Sequence, residues 1–301
     1  MSAIRSLRAA VDALSRAPVL FLGGLVYALV IFPQRAVQLA GVPLVPTLLQ
    51  VVTFFVTPFV LAGVLGMARE ALDGDTSFDA FRTVGRDRYV DLLLGTFLEF
   101  GIKLAFGVTF LVLGLLVLVT GSAAGGAGPV AILGAALVAL LVIAYVVVLF
   151  LIQFYPVVIV VEGAGAVDGI TESVAFVRSN VISTLGYTII TVVLGGLASL
   201  PISGFVAYRY LTSVGPSGGT AGGAPMTGGM GPGGGNVSGT PPNLDALTGG
   251  VSLGLSTPEA IALALVATAT TALFFAFHQA YAVAFYRHNG RSIEERVLED
   301  L

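Results

Sequence analysis

The sequence predicts an all-α fold: a polytopic membrane bundle of six transmembrane helices in three hairpins, with amphipathic cytoplasmic helices. Two observations of composition lead there. Of 301 residues, 56% are hydrophobic and 10% charged, with a mean hydropathy of +0.97, where a soluble domain carries about 25% charge. The apolar residues also run in long continuous blocks, the pattern of spanning helices, and do not alternate as in a barrel. A third observation, the placement of the arginines, orients the bundle.

The blocks are residues 18–40, 43–68, 90–120, 129–161, 181–206 and 258–286. Each reaches or approaches the roughly 20 apolar residues that cross a hydrocarbon core. The first follows Arg5, Arg8 and Arg16 and has a short apolar centre, like a signal peptide, but no small-residue cleavage pattern follows it. It is read as a retained span. Small residues inside the blocks (Ala62 and Gly66, Ala135 and Ala139, Gly195 and Gly196) are expected at seams where helices approach closely. With the N terminus inside, eleven arginines lie on the cytoplasmic side and only Arg35 and Arg209 opposite. That bias places both termini in the cytoplasm of a cell membrane. Residues 211–256, rich in glycine, are expected as a flexible extracellular loop, because a backbone without partners does not sit in lipid. Within it, Asn236-Val237-Ser238 is a possible glycosylation acceptor.

An internal repeat organises the chain. Ile4, Leu7, Val11 and Leu14 fall on one helical face before the first span. Val167, Ile170, Val174 and Val177 repeat that spacing before the fifth, at a constant offset of 163. Phe78, Phe81 and Val84 form a shorter version before the third span, and Ile293 and Val297 another after the sixth. The expectation is three units, each an amphipathic helix followed by a two-span hairpin. Such helices either lie among lipid headgroups or dock on the bundle's inner mouth, and both arrangements stay open.

The segments Ser15-Arg16-Ala17-Pro18-Val19-Leu20-Phe21-Leu22 and Val160-Val161-Glu162-Gly163-Ala164-Gly165-Ala166-Val167-Asp168, with Ser173, Arg178 and Asn180, carry a resemblance. They resemble uncharacterised six-span membrane proteins of halophilic archaea and, more distantly, the membrane domain attached to some glycerophosphodiester phosphodiesterases. The resemblance implies a six-span archaeal membrane protein. The phosphodiesterase activity does not carry over, since no catalytic domain of that kind is present.

Chemistry is sparse. Fourteen basic residues against seventeen acidic ones leave no excess to neutralise phosphates, which excludes nucleic acid as a partner. The chain has no cysteine and therefore no thiol chemistry. It lacks a His-Glu-x-x-His pattern, and the glycine-rich loop lacks the Gly-Lys-Ser/Thr ending of a phosphate cradle. No catalytic residue, metal or cofactor is expected, and Ser203 and His278 lie too far apart in depth to act together. Charged or polar residues within spans remain the candidates: Glu99, Lys103, Gln153 and His278. Glu99, Gln153 and His278 each stand nine residues from the inner end of a block, roughly 13 Å deep at helical rise. Tyr155 and Tyr281 are near that level. The expected function is non-enzymatic: a structural or accessory membrane protein that organises membrane lipids or protein partners. The alternative is a small transporter or channel using the Glu99, Gln153 and His278 layer. The inner arginines suit anionic headgroups, but Asp73, Asp75, Asp79 and Asp87 offset them, so the sequence implies no lipid preference.

Overall fold

The computed structural model describes residues 2–39, 45–123, 129–213 and 257–299. Asn236 and most of the glycine-rich loop lie outside them. Every regular element among the described residues is a helix, with no strand. In order the helices are α1 (Ser2–Arg16), α2 (Leu20–Leu39), α3 (Val45–Asp73), α4 (Phe78–Asp87), α5 (Tyr89–Ala123), α6 (Pro129–Ile152), α7 (Tyr155–Val161), α8 (Ala166–Ser179), α9 (Val181–Ser213) and α10 (Thr257–Glu299).

Five stretches are long and apolar enough to cross a membrane: Val45–Asp73, Tyr89–Val119, Ile132–Val161, Val181–Phe205 and Ala262–Gly290. A sixth is reached only by taking α2 together with α1, and these two helices meet at 93°. The expected fourth span is interrupted. Pro156 has no amide to donate to Ile152 and its ring crowds that carbonyl, so the helix breaks at Gln153–Phe154 and restarts as α7. The break is repaired by side chains. The Ser173 hydroxyl donates to the Leu151 carbonyl at 2.9 Å and accepts from the Phe154 amide at 3.1 Å. Gln153 Nε2 donates to the Phe150 carbonyl at 3.0 Å.

The repeat is visible in burial, on a different face from the one its large residues suggest. Ile4 and Val11 are exposed on α1, as is Val167 on α8. What α1 buries is Ala3, Ser6, Ala10, Ala13 and Leu14. At the same offset of 163, α8 buries Ala166, Gly169, Ser173, Phe176 and Val177. At three of these five matched positions both helices carry small residues (Ala3 and Ala166, Ser6 and Gly169, Ala10 and Ser173), which let one helix backbone approach another closely. In α4 the roles reverse: Phe81 and Val84 fill positions where Gly63 and Gly66 of α3 have no side chain.

The docking partners follow one rule. The lateral helix of each unit packs on the second span of the preceding unit: α4 on α3, α8 on α7, and α1 on α10. The chain thus closes on itself, with the Tyr281 hydroxyl donating to the Ala3 carbonyl at 3.2 Å. The helices that follow the lateral ones pack likewise, α5 against α3 and α2 against α10, the latter with Tyr27 stacked on Phe275 at 3.6 Å. Gly24 lets α2 reach the Ala272 carbonyl. The third such seam, between α6–α7 and α9, is joined only near the break. There the Thr188 hydroxyl donates to Gln153 Oε1 at 3.3 Å and Phe154 lies against Tyr187 at 5.1 Å. Of the small residues expected at seams, Ala62 and Gly66 are buried and Gly195 meets Phe274. Ala135 and Ala139 are exposed, and Gly134 takes their place against Val117. A helix repeat brings only one residue in three or four to a given neighbour, so pairs four apart pick the wrong face as easily as the right one.

Candidate functional site

The polar side chains inside the spans gather around the break at Gln153–Phe154 but take separate partners. Glu99 accepts from the Tyr155 hydroxyl at 2.8 Å through one oxygen and pairs with Lys103 Nζ at 2.6 Å through the other. Both are partly buried on α5, where Gly95 leaves room for the Tyr155 ring. Gln153 is spent on the break and on Thr188. His278 is buried on α10, its Nε2 3.2 Å from the Tyr187 hydroxyl and its Nδ1 3.4 Å from Gln279 Nε2. Residues 153 and 155 flank one break and 187 and 188 are neighbours, so the three groups lie near one level. Between the Glu99 and His278 groups stand aromatic rings. Phe154 packs on Tyr187 and on Phe285 at 5.5 Å, and Tyr187 packs on Tyr281 at 4.7 Å. Of these rings Phe154 and Phe285 carry no hydrogen-bonding group, and the Tyr187 hydroxyl is taken up by His278.

Sequence reasoning missed Tyr187 and the threonines of α9. Thr184, Tyr187, Thr188 and Thr191 recur at helical spacing on one face of that helix, a signal present in the sequence. The Thr184 and Thr191 hydroxyls are buried without a hydrogen-bond partner. Thr191 interacts electrostatically with the Tyr187 phenol but does not meet it at hydrogen-bonding geometry. Ser203 is bonded back to the Ser199 carbonyl at 2.9 Å and takes no part with His278.

A second polar network ties the ends of the helices together where the lateral helices dock. Gly163 adopts the left-handed backbone conformation, φ +76°, that ends α7 and turns the chain into α8. Its carbonyl accepts from Arg88 Nη1 at 3.0 Å, and the Val160 carbonyl from Arg69 Nη1 at 3.3 Å. Arg287 pairs with Asp73 at 2.8 Å. The Tyr286 hydroxyl donates to Glu162. Glu172 shares a hydrogen bond with Glu162. That bond, then partial burial, then the charges of Glu162 and Asp168 push its carboxyl up to about 7. The glycine-rich motif Glu162–Gly165 is thereby accounted for as a turn that receives Arg88, from between α4 and α5, and Tyr286 of α10. Among the described residues, no group of three histidine, aspartate or glutamate side chains is placed to hold a metal ion.

A family model described as a domain of unknown function, DUF7847, matches residues 1–289. The chain belongs to this family. The DUF7847 match takes in both polar networks and every lateral helix. No curated protein and no solved structure matches the chain.

Proposed function

We propose that this DUF7847 chain is a six-span protein of the cytoplasmic membrane with both termini inside, and that it serves as a non-enzymatic accessory platform for lipids or protein partners. The observation that carries the reading is the layer formed by α1, α4 and α8. All three dock at the end of the bundle where Arg69, Arg88 and Arg287 lock the helix ends. Exposed Arg5, Arg8, Arg82, Arg86 and Arg178 lie on the same layer, as the excess of basic residues inside requires. The perpendicular turn from α1 to α2 supports α2 as the sixth crossing, with α1 lying along the membrane surface. The resemblance to six-span proteins of halophilic archaea supports the same topology and an archaeal host.

The chain has no cysteine, so single Ser15→Cys or Thr83→Cys substitutions report topology cleanly. An impermeant maleimide labels both in inverted membrane vesicles and neither in intact cells. Labelling of either from outside overturns the orientation. Proximity labelling from the same positions in the native host is expected to mark a recurrent set of partners or none but lipid.

A second reading, a small transporter with the Glu99, Gln153 and His278 layer, is favoured by one observation, the buried Thr184 hydroxyl that lacks a hydrogen-bond partner beside the Tyr187–His278 pair. Proton flux into reconstituted vesicles that is lost in Glu99→Gln and in His278→Ala would establish it. Flux unchanged by both substitutions discards it.

A further inference from the structure

The sequence averages its inner charges to little, whereas the structure sorts them. Arg69, Arg88 and Arg287 are consumed in binding carbonyls and Asp73. The lateral helices then differ. α4 carries Arg82 and Arg86 against Asp79 and Asp87, and α8 carries Arg178 against Asp168 and Glu172. Only α1 keeps a positive excess, with Arg5, Arg8 and Arg16 against Asp12. Arg5 and Arg8 are exposed, and Arg16 leans back on the Asp12 carbonyl.

The faces of α1 are ordered around its axis. Ala3, Ser6, Ala10 and Ala13 are buried against the bundle. Next to them, about a third of a turn around at 100° per residue, runs the ridge of Ile4, Leu7 and Val11, whose Ile4 and Val11 are exposed. Beyond the ridge come Arg8 and then Arg5. A helix held sideways by a docked stripe, at 93° to the span that follows, presents its apolar ridge to acyl chains. Its arginines then stand at the depth of the phosphates, where long side chains reach up to the headgroups.

We propose that α1 is a binding surface for anionic phospholipid, with Arg5 and Arg8 on headgroup phosphates and the exposed Ile4 and Val11 among the acyl chains beside them. This rests on reading the lateral helices as an interfacial layer, and one experiment separates the two. The chain has no tryptophan, so Val11→Trp puts a single fluorophore on the ridge of the full-length protein. Brominated phosphatidylglycerol or brominated phosphatidylcholine in mixed vesicles then quenches it. Phosphatidylglycerol is expected to bind preferentially, by about fivefold per arginine, since a basic residue near an anionic surface contributes about 1 kcal/mol. Arg5→Gln and Arg8→Gln in the Val11→Trp background each lower the preference about fivefold, whereas Arg82→Gln with Arg86→Gln leaves it in place. With all arginines intact, the preference declines as salt is added, a readout that needs no arginine variant to fold. Equal quenching by the two lipids, a preference insensitive to salt, or equal loss in the α4 variant overturns the proposal. Quenching by neither lipid, with the fluorophore in a polar or protein-covered setting, overturns instead the interfacial reading beneath it.

Discussion

Two seams of this bundle hold equivalent places in the repeat and are built differently. Between α2 and α10 the helices meet along their length: Gly24 admits the Ala272 backbone, and Tyr27 lies flat on Phe275. Between α6–α7 and α9 the helices touch at one level only, through Gln153 with Thr188 and Phe154 with Tyr187. The α5–α6 hairpin consequently stands apart beyond the break, with Leu111, Leu115, Leu118, Ile132 and Leu140 all exposed. In water such a surface would collapse. In lipid, tails solvate leucine as well as another helix does, so association depends on close backbone approach and on polar contacts. The comparison teaches that apolar content places a helix in the membrane, while glycine and hydrogen bonds decide what it packs against.

The largest effect should come from filling the closed seam. Gly24→Leu drives a side chain into the Ala272 carbonyl and should cost about 3 kcal/mol or more, read as loss of the monodisperse, thermally stable species in detergent. Gly196→Leu, with nothing within 4 Å of the added carbon, should be neutral or slightly stabilising. Equal damage from the two would break the contrast. Next, Ser173→Ala leaves the Leu151 carbonyl and Phe154 amide unsatisfied together. It should cost about 1–3 kcal/mol, with proteolysis or hydrogen exchange rising first at residues 150–156. A smaller change is expected across the open seam, where Thr188→Val removes one neutral bridge worth about 0.6 kcal/mol. A thermal shift as large as that of Ser173→Ala would mean that the seam is held more firmly than its contacts indicate.

The smallest effect concerns pH. With its carboxyl raised to about 7 in the folded chain, Glu172 holds its proton more tightly there than in the unfolded chain. The contribution is full below the ordinary value of 4.5 and is lost as pH rises through about 7. Because the group is exposed, the slope should be shallow. Glu172→Gln should flatten it in melting curves taken between those values, and an unchanged slope would reassign the dependence to another group.

Much of the architecture was legible from composition and spacing. The long apolar blocks identified the helices, and the offset of 163 identified equivalent segments. The docked face of α1 was not legible from the size of its side chains. Ile4 and Val11 dominate any reading of hydrophobicity, yet contact between helices is made by Ala3, Ser6 and Ala10, whose value is that they are small. The interruption at Gln153 was signalled by Pro156, but no local rule says that the hydroxyl repairing it comes from Ser173, on the next lateral helix. Glu99, Gln153 and His278 were found as polar residues at one depth, and in the structure each takes partners of its own. Their separate partners depend on Phe154, Tyr187 and Phe285 arriving from three helices, which no linear spacing records.

The docking of α1 on α10 has a consequence for the connectivity itself. If each unit supplies a lateral helix to the unit before it and the first supplies one to the last, the order of the units along the chain is a matter of where the ring was cut. A circularly permuted chain opened in the turn before α4, with a linker joining the old ends, retains every such contact and should assemble into the same bundle.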